Sequence, residues 1–169
     1  MIEQALEISD IKERYEFVYD YLCDYLDAEF KKHNYCDFKD DKCIANRLGI
    51  TNRIMTPDCP TCGCCYSYNY GPGLSIRNKK LCQHLVNNRC DTKCISCKLF
   101  TCRYLKAKGV QFDINTFPDI NKIFNKKQIM VLQTNFFISK ERIIEKLVKE
   151  ATSKTPYWLY WLFELSVIK

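Results

Sequence analysis

Cys59-Pro60-Thr61-Cys62-Gly63-Cys64-Cys65, then Cys82-Gln83-His84, then Cys90-x3-Cys94-x2-Cys97-x4-Cys102: this stretch holds nine of the twelve cysteines in the chain. Thiols at this density need a chemical reason. In a reducing compartment that reason is metal, because thiolates hold Zn2+ or iron tightly and paired knuckles rarely arise by chance. Cys59-Pro60-Thr61-Cys62-Gly63 is the most specific element. Two sulfurs at this spacing reach one ion, the proline stiffens the turn, and the glycine admits the positive φ that aims backbone N–H groups at sulfur.

Cys64 and Cys65 extend the knuckle. Adjacent side chains diverge, so one of them joins the same ion and the other a second ion or none. Cys90, Cys94, Cys97 and Cys102 form a second four-thiol set, able to close a tetrahedral zinc site or hold a four-iron cluster. Cys82 and His84 lie between the two sets and are candidate ligands. Upstream, Cys36 and Cys43, with His33 just before them, read either as further ligands or as ordinary loop cysteines. Cys23 falls among apolar positions and reads as an inert core thiol.

Helical patterns flank the cysteines on both sides. Leu6, Ile11, Tyr15, Val18, Leu22, Tyr25, Leu26 and Phe30 recur at helical spacing, with Ser9 as the expected cap of a helix running through Phe30 after a short helical turn. Ser67 to Gly73 reads as a loop and Leu74 to Arg77 as a short strand. A helical segment with Tyr104 and Leu105 should end at Gly109. Pro118 predicts the first turn of a helix through Ile120, Ile123, Phe124 and Ile129 to Leu132. Ser139 predicts an N-cap, with Ile138 and Ile143 at staple spacing, for a helix to about Ala151 that buries Ile143, Ile144, Leu147 and Val148. Thr155-Pro156 opens a last helix whose aromatic run, including Trp158, Trp161 and Phe163, is apolar nearly all round, so it packs inside the domain or makes a protein partner or homodimer contact.

At 169 residues the chain reads as one mainly α domain. It comprises an N-terminal helix (1–33), a cysteine-rich, metal-stapled irregular insert with few short strands (34–108) and a C-terminal helical group (109–169). Met1-Ile2-Glu3-Gln4 carries an acid where a signal peptide needs basic residues, which predicts a cytoplasmic protein with reduced thiols rather than a disulfide framework. The longest apolar run, near the C-terminus, contains Glu164 and Ser166 and falls short of the roughly 20 residues needed to span a bilayer, so no membrane partner is expected.

From Arg77 to Lys108 nine Lys or Arg face one acid, Asp91, a formal +8. Alone, that suggests phosphate binding, with Lys79-Lys80 and the tyrosines from Tyr66 to Tyr70 as the surface for nucleic acid. A zinc held by four thiolates carries a formal −2, however, and two such sites would leave about +4 here. Nucleic acid is therefore not the favoured partner. No Ser–His–Asp set, paired-carboxylate motif, P-loop or Rossmann glycine pattern is present, so no catalytic residue is assigned.

The Cys59 knuckle resembles those of zinc ribbons and rubredoxins. Cys59, Cys62, Gly63, Cys64 and Cys65, then Cys82 with Leu85, then Cys90 and Cys97 or Cys102, resemble the YkgJ-type family of zinc- or iron-chelating cysteine-cluster proteins. Two features depart from it: no residue separates Gly63 from the paired cysteines, and no Arg-Pro precedes the last cysteine. The resemblance implies metal chelation and no particular activity. The expectation is a metal-binding protein with structural zinc sites, acting through interaction or regulation. The alternatives are a [4Fe-4S] redox enzyme or electron carrier, and a zinc-dependent nucleic-acid-binding module.

Overall fold

The computed structural model describes residues 1–33, 38–39, 42–43, 66–70, 76–81, 85–86, 89–90, 92–101, 105–106, 109–136, 138–157 and 159. The described part is mostly helical. A short helix, α1 (Ile2–Glu7), leads into the long α2 (Ile11–His33). Asp10 caps α2: its carboxylate accepts the Glu13 N–H at 2.8 Å, so the cap falls one residue after the expected Ser9. Arg14 turns back and donates twice to the Ile8 carbonyl, at 3.0 and 2.7 Å, fixing the joint between the helices.

One stripe of α2 is core. Tyr15, Val18, Tyr19, Leu22, Cys23 and Leu26 are buried, whereas Leu6, Ile11 and Tyr25 from the expected stripe are exposed. The buried set follows the i, i+3, i+4 pattern of a helix with one apolar side. Each fully buried Leu or Val contributes about 1.5–3 kcal/mol relative to exposure.

The chain divides into two compact units, interleaved in sequence: Met1–Asp27, Lys93–Leu99 and Asp113–Lys169 form the first, Ala28–Thr92 and Phe100–Phe112 the second. The first unit is helical. Its one-turn helix α3 (Ile95–Leu99) is buried at every position and packs on α4 (Lys126–Thr134), which packs in turn on α5 (Lys140–Thr152). α4 buries six consecutive residues, Lys127 to Leu132, as a central helix must.

Pro118 does not start a helix that reaches Leu132. Asp119 takes a left-handed φ of 61°, which a continuous helix cannot contain. The segment instead forms two 3-10 turns, Ile114–Thr116 and Ile120–Lys122, and α4 starts afresh at Asn125. Asn125 accepts the N–H groups of Lys127 and Gln128, and Gln128 returns a bond to the Asn125 N–H, a complete capping box. Gln128 also donates to the Tyr15 hydroxyl and the Leu147 carbonyl, both at 2.8 Å, tying α4 to α2 and α5.

α5 matches its sequence pattern, burying Ile143, Ile144 and Leu147, with Val148 half-buried. Ser139 is its N-cap but makes no side-chain cap hydrogen bond. A buried ion pair, Lys127 with Glu150 at 3.6 Å, closes the far end of α4 and α5. Beyond it, the Leu159 N–H donates to the Pro156 carbonyl at 3.1 Å, one turn begun where the last helix was expected. Trp158, Trp161 and Phe163 lie outside the described residues.

In the second unit, the backbone forms three antiparallel ladders: β1 (Phe38–Lys39) with β2 (Lys42–Cys43), β3 (Tyr66–Tyr70) with β4 (Ile76–Leu81), and β5 (Leu85–Val86) with β6 (Arg89–Cys90). Ser67 to Tyr70 is therefore strand rather than loop, and the next strand starts at Ile76 and runs past Arg77 to Leu81. Alternating tyrosines at 66, 68 and 70 suit a pleated backbone. Phe30 stacks on Phe112 with ring centroids 4.9 Å apart, and the Phe112 N–H donates to the Thr101 hydroxyl at 2.9 Å. Gly109 ends a helical turn as expected. Its φ is 77°, its N–H reaches the Lys106 carbonyl, and the Val110 N–H reaches Leu105, a Schellman pattern.

Candidate functional site

Of the twelve candidate ligands, Cys94 and Cys97 are the two whose side chains are described. Both are buried thiols in the helical unit, Cys94 just before α3 and Cys97 within it. The segment that carries them is fastened from two sides.

On the α2 side, the Lys93 carbonyl accepts the Tyr19 hydroxyl at 2.7 Å and the Cys23 thiol at 3.4 Å. The Tyr19 oxygen accepts the Ile95 N–H at 3.1 Å. One phenol thus satisfies a carbonyl and one of the orphan N–H groups in the first turn of α3. Burial pushes the Tyr19 hydroxyl well above its usual range, against the opposing pull of the Ile95 N–H. Burial likewise pushes the Cys23 thiol up to about 12, although the Lys98 ammonium pulls the other way. Both groups are neutral donors at physiological pH, and a thiol this buried is chemically inert, as its place in the sequence suggested.

Charge reinforces the same attachment. Lys98, with its side chain only 4% exposed, pairs with Asp27 in α2. Lys93 reaches the other Asp27 oxygen at 3.3 Å and Asp24 at 3.6 Å. The Asp27 hydrogen bond is the main cause of the raised Lys93 pKa.

On the α4 side, the Ser96 hydroxyl donates to the Leu132 carbonyl at 2.7 Å and accepts the Asn135 N–H at 3.1 Å. The Cys94 thiol donates to the Asn135 carbonyl at 3.3 Å. Asn135 also donates from its amide to the Val131 carbonyl at 2.9 Å, and its side-chain oxygen pairs with Lys146. These groups close the C-terminal end of α4, where helical carbonyls lack partners of their own.

Tyr19, Ser96, Asn135 and Asp27 are the residues that reasoning on the sequence missed. Signals for two of them exist. Tyr19 sits four residues after Tyr15 on the same stripe, and Ser96 is flanked by Ile95 and, at helical spacing, Leu99.

The other expected ligands are placed less fully. Cys43 and Cys90 lie in β2 and β6, described as backbone. Cys36, Cys59, Cys62, Cys64, Cys65, Cys82, His84 and Cys102 lie outside the described residues. Among the described residues, no group of three or more His, Cys, Asp or Glu is arranged to hold a metal ion. Among the described residues, Cys23, Cys94 and Cys97 belong to the helical unit, and His33, Cys43 and Cys90 to the second.

Among the described residues, no helix is long and apolar enough to cross a membrane. No protein-family model, no curated protein and no solved structure matches the chain.

Proposed function

We propose that the chain is a metal-binding protein whose cysteine-rich segment holds zinc in structural sites, and that it acts through interaction or regulation. The observation that carries this reading is the density of thiols in the sequence, nine of the twelve cysteines between Cys59 and Cys102, led by the Cys59-x2-Cys62-Gly63 knuckle. Cys59 and Cys62 are the first ligands. Cys64 or Cys65, Cys82, His84, Cys90, Cys94, Cys97 and Cys102 supply the further donors, with Cys36 and Cys43 available from the N-terminal side. Thiolate and imidazole donors of this kind fit Zn2+ in tetrahedral coordination. The resemblance to the YkgJ-type family points the same way.

Energetics support a structural role. Between Asp58 and Cys102 the apolar residues other than cysteine and tyrosine are few, and two of them, Ile95 and Leu99, are spent in the helical unit. What is left, Leu74, Ile76, Leu81, Leu85, Val86 and Phe100, is little area against backbone ordering of about 1–2 kcal/mol per residue. Structural zinc supplies roughly 10–16 kcal/mol of apparent binding energy, enough to order such a segment.

The test is elemental analysis of protein purified anaerobically without chelator. The expected result is about two zinc ions per chain or more. Less than about one metal per chain removes the proposal. Brown protein containing iron and sulfide replaces zinc by the iron–sulfur alternative, in which the thiols serve electron transfer.

A further inference from the structure

We propose that the β3–β4 ribbon is a binding site for single-stranded nucleic acid, with Tyr66, Tyr68 and Tyr70 as its base-stacking residues and Lys79 and Arg77 as its phosphate-binding ones. The inference goes beyond the metal-binding reading and draws on none of its ligands. Summed charge alone does not favour nucleic acid; the strand register adds a juxtaposition that the sum does not contain.

The two strands pair antiparallel, Tyr66 with Leu81, Ser67 with Lys80, Tyr68 with Lys79 and Asn69 with Asn78. Successive residues of a strand alternate between the two faces of the sheet, and directly paired residues share a face. Tyr66, Tyr68 and Tyr70 therefore lie in a row on one face, with Lys79 at the position across from the middle tyrosine. Ser67, Asn69, Asn78 and Lys80 take the other face. Beyond Asn69 the register shifts: Tyr70 pairs with Ile76, and Arg77 is the extra residue between the two pairs. A bulge of this kind bends the strand beside the third tyrosine.

The residues on the tyrosine face set it apart from a closed core. Lysine is almost never fully buried without a counter-charge. From Tyr66 to Leu81 the ribbon contains no acid and no cysteine, and its formal charge of +3 is Arg77, Lys79 and Lys80. A row of aromatic rings edged by cations suits a single strand, because every base has a face that stacks on tyrosine while the cations follow the backbone. Spacing selects against a duplex. Alternate residues of a strand stand about 6.7 Å apart, roughly twice the 3.4 Å between successive phosphates of one strand along a double helix. One base per tyrosine thus requires a strand drawn out of its stack, which base pairing resists.

Fluorescence anisotropy on the full chain, purified anaerobically without chelator, tests the site. The probes are labelled oligothymidine and oligouridine of about twelve residues, and a DNA duplex of the same length. At least one of the single strands is expected to bind with a Kd below about 100 µM, and at least about 10-fold more tightly than the duplex; the two probes tell DNA from RNA. Tyr68→Ala should weaken binding by about 10-fold, and Lys79→Gln should lower the slope of log affinity against log salt by about 0.7. Asn69→Ala, on the opposite face, should bind as wild type does. Failure of both single strands to bind at about 100 µM protein overturns the proposal. So does a duplex bound as tightly as either strand, or an equal loss in Tyr68→Ala and Asn69→Ala. A chain that binds no oligomer but dimerises, and loses the dimer in Tyr68→Ala, assigns the face to a second copy instead.

A second measurement needs no variant and therefore survives a failure to fold. Wild-type protein is crosslinked by ultraviolet light to the tighter-binding oligomer carrying 5-iodouracil, and the adducts are read by peptide mass spectrometry. Adducts are expected on Tyr66, Tyr68 or Tyr70, and adducts confined to other parts of the chain overturn the assignment. Metal content is read on the same samples, so that failure of the metal reading and failure of this one are distinguished.

Discussion

Replacing Ser96 with alanine tests whether the α3 segment is bolted to the helical unit as the hydrogen bonds indicate. The hydroxyl is completely buried and serves two main-chain groups at once, donating to the Leu132 carbonyl at 2.7 Å and accepting the Asn135 N–H at 3.1 Å. Alanine removes both bonds and opens little space, so water does not replace them. A buried polar group left without its partner costs about 1–3 kcal/mol, which for two groups with some relaxation gives roughly 2–4 kcal/mol. Urea unfolding followed by far-ultraviolet circular dichroism reads this directly. With a slope of about 1–3 kcal/mol per molar, the midpoint should fall by roughly 1–2 M at unchanged slope.

Ser139→Ala is the matched control. An N-cap serine usually contributes about 1 kcal/mol through its side chain, but Ser139 makes no such bond, so its loss should cost less than about 0.5 kcal/mol. A Ser96→Ala stability within about 0.5 kcal/mol of wild type refutes the account of the α3 attachment. So does a Ser139→Ala cost equal to that of Ser96→Ala.

Asp27→Asn should destabilise the helical unit by about 3 kcal/mol, because it leaves the buried Lys98 ammonium without its counter-charge; Lys98→Met should cost less, since Asp27 keeps Lys93, and thermal melts of the two variants compare them. Gly109→Ala should cost about 1–2 kcal/mol from backbone strain alone, as φ is 77° and nothing lies within 4 Å of an added Cβ; urea midpoints measure it, and an unchanged midpoint removes the Schellman reading. Stability should fall as pH rises from about 9 towards 12. Above pH 9 an unfolded chain loses the Cys23 proton while the folded chain keeps it up to about 12, so the unfolded state binds fewer protons and the slope is negative, at most about 1.4 kcal/mol per pH unit for this thiol. Tyr19, also raised by burial, adds the same sign once the pH passes its ordinary value, and Cys23→Ala should flatten the lower part of the fall in urea titrations across this range.

The helical frame was largely legible, and its departures have local causes. α5 announced itself through Ile143, Ile144 and Leu147 because a single apolar stripe on a charged helix has one way to pack. The stretch before α4 misled because Pro118 is a strong start signal. Asn125-x2-Gln128 was the better one, an open capping box whose two halves lie three residues apart in the sequence. Asp119 in the left-handed region had no comparable signal, since its conformation is imposed by the turns on either side. Asp10 displaced Ser9 at the start of α2 by a single position, the ordinary ambiguity when two capping residues are adjacent.

The cysteines pose a deeper ambiguity, and it is geometric. Three residues is the spacing of a metal knuckle, and it is also the spacing that brings two side chains to the same face of one helical turn. Spacing alone therefore treats Cys59-x2-Cys62 and Cys94-x2-Cys97 alike, although the residues in between and beyond differ. Pro60 and Gly63 favour a tight non-helical turn with N–H groups free to face sulfur. Ile95 and Leu99, four apart, instead continue a helical stripe, and Ser96 has the size and the hydroxyl to serve a neighbouring helix end. Cys94 and Cys97 are buried with that stripe, as Cys23 is on α2. At Cys94 the sulfur stands 3.3 Å from the carbonyl oxygen of Asn135, the residue whose N–H Ser96 holds, so this knuckle is fixed to the end of α4 whatever else its thiols bind.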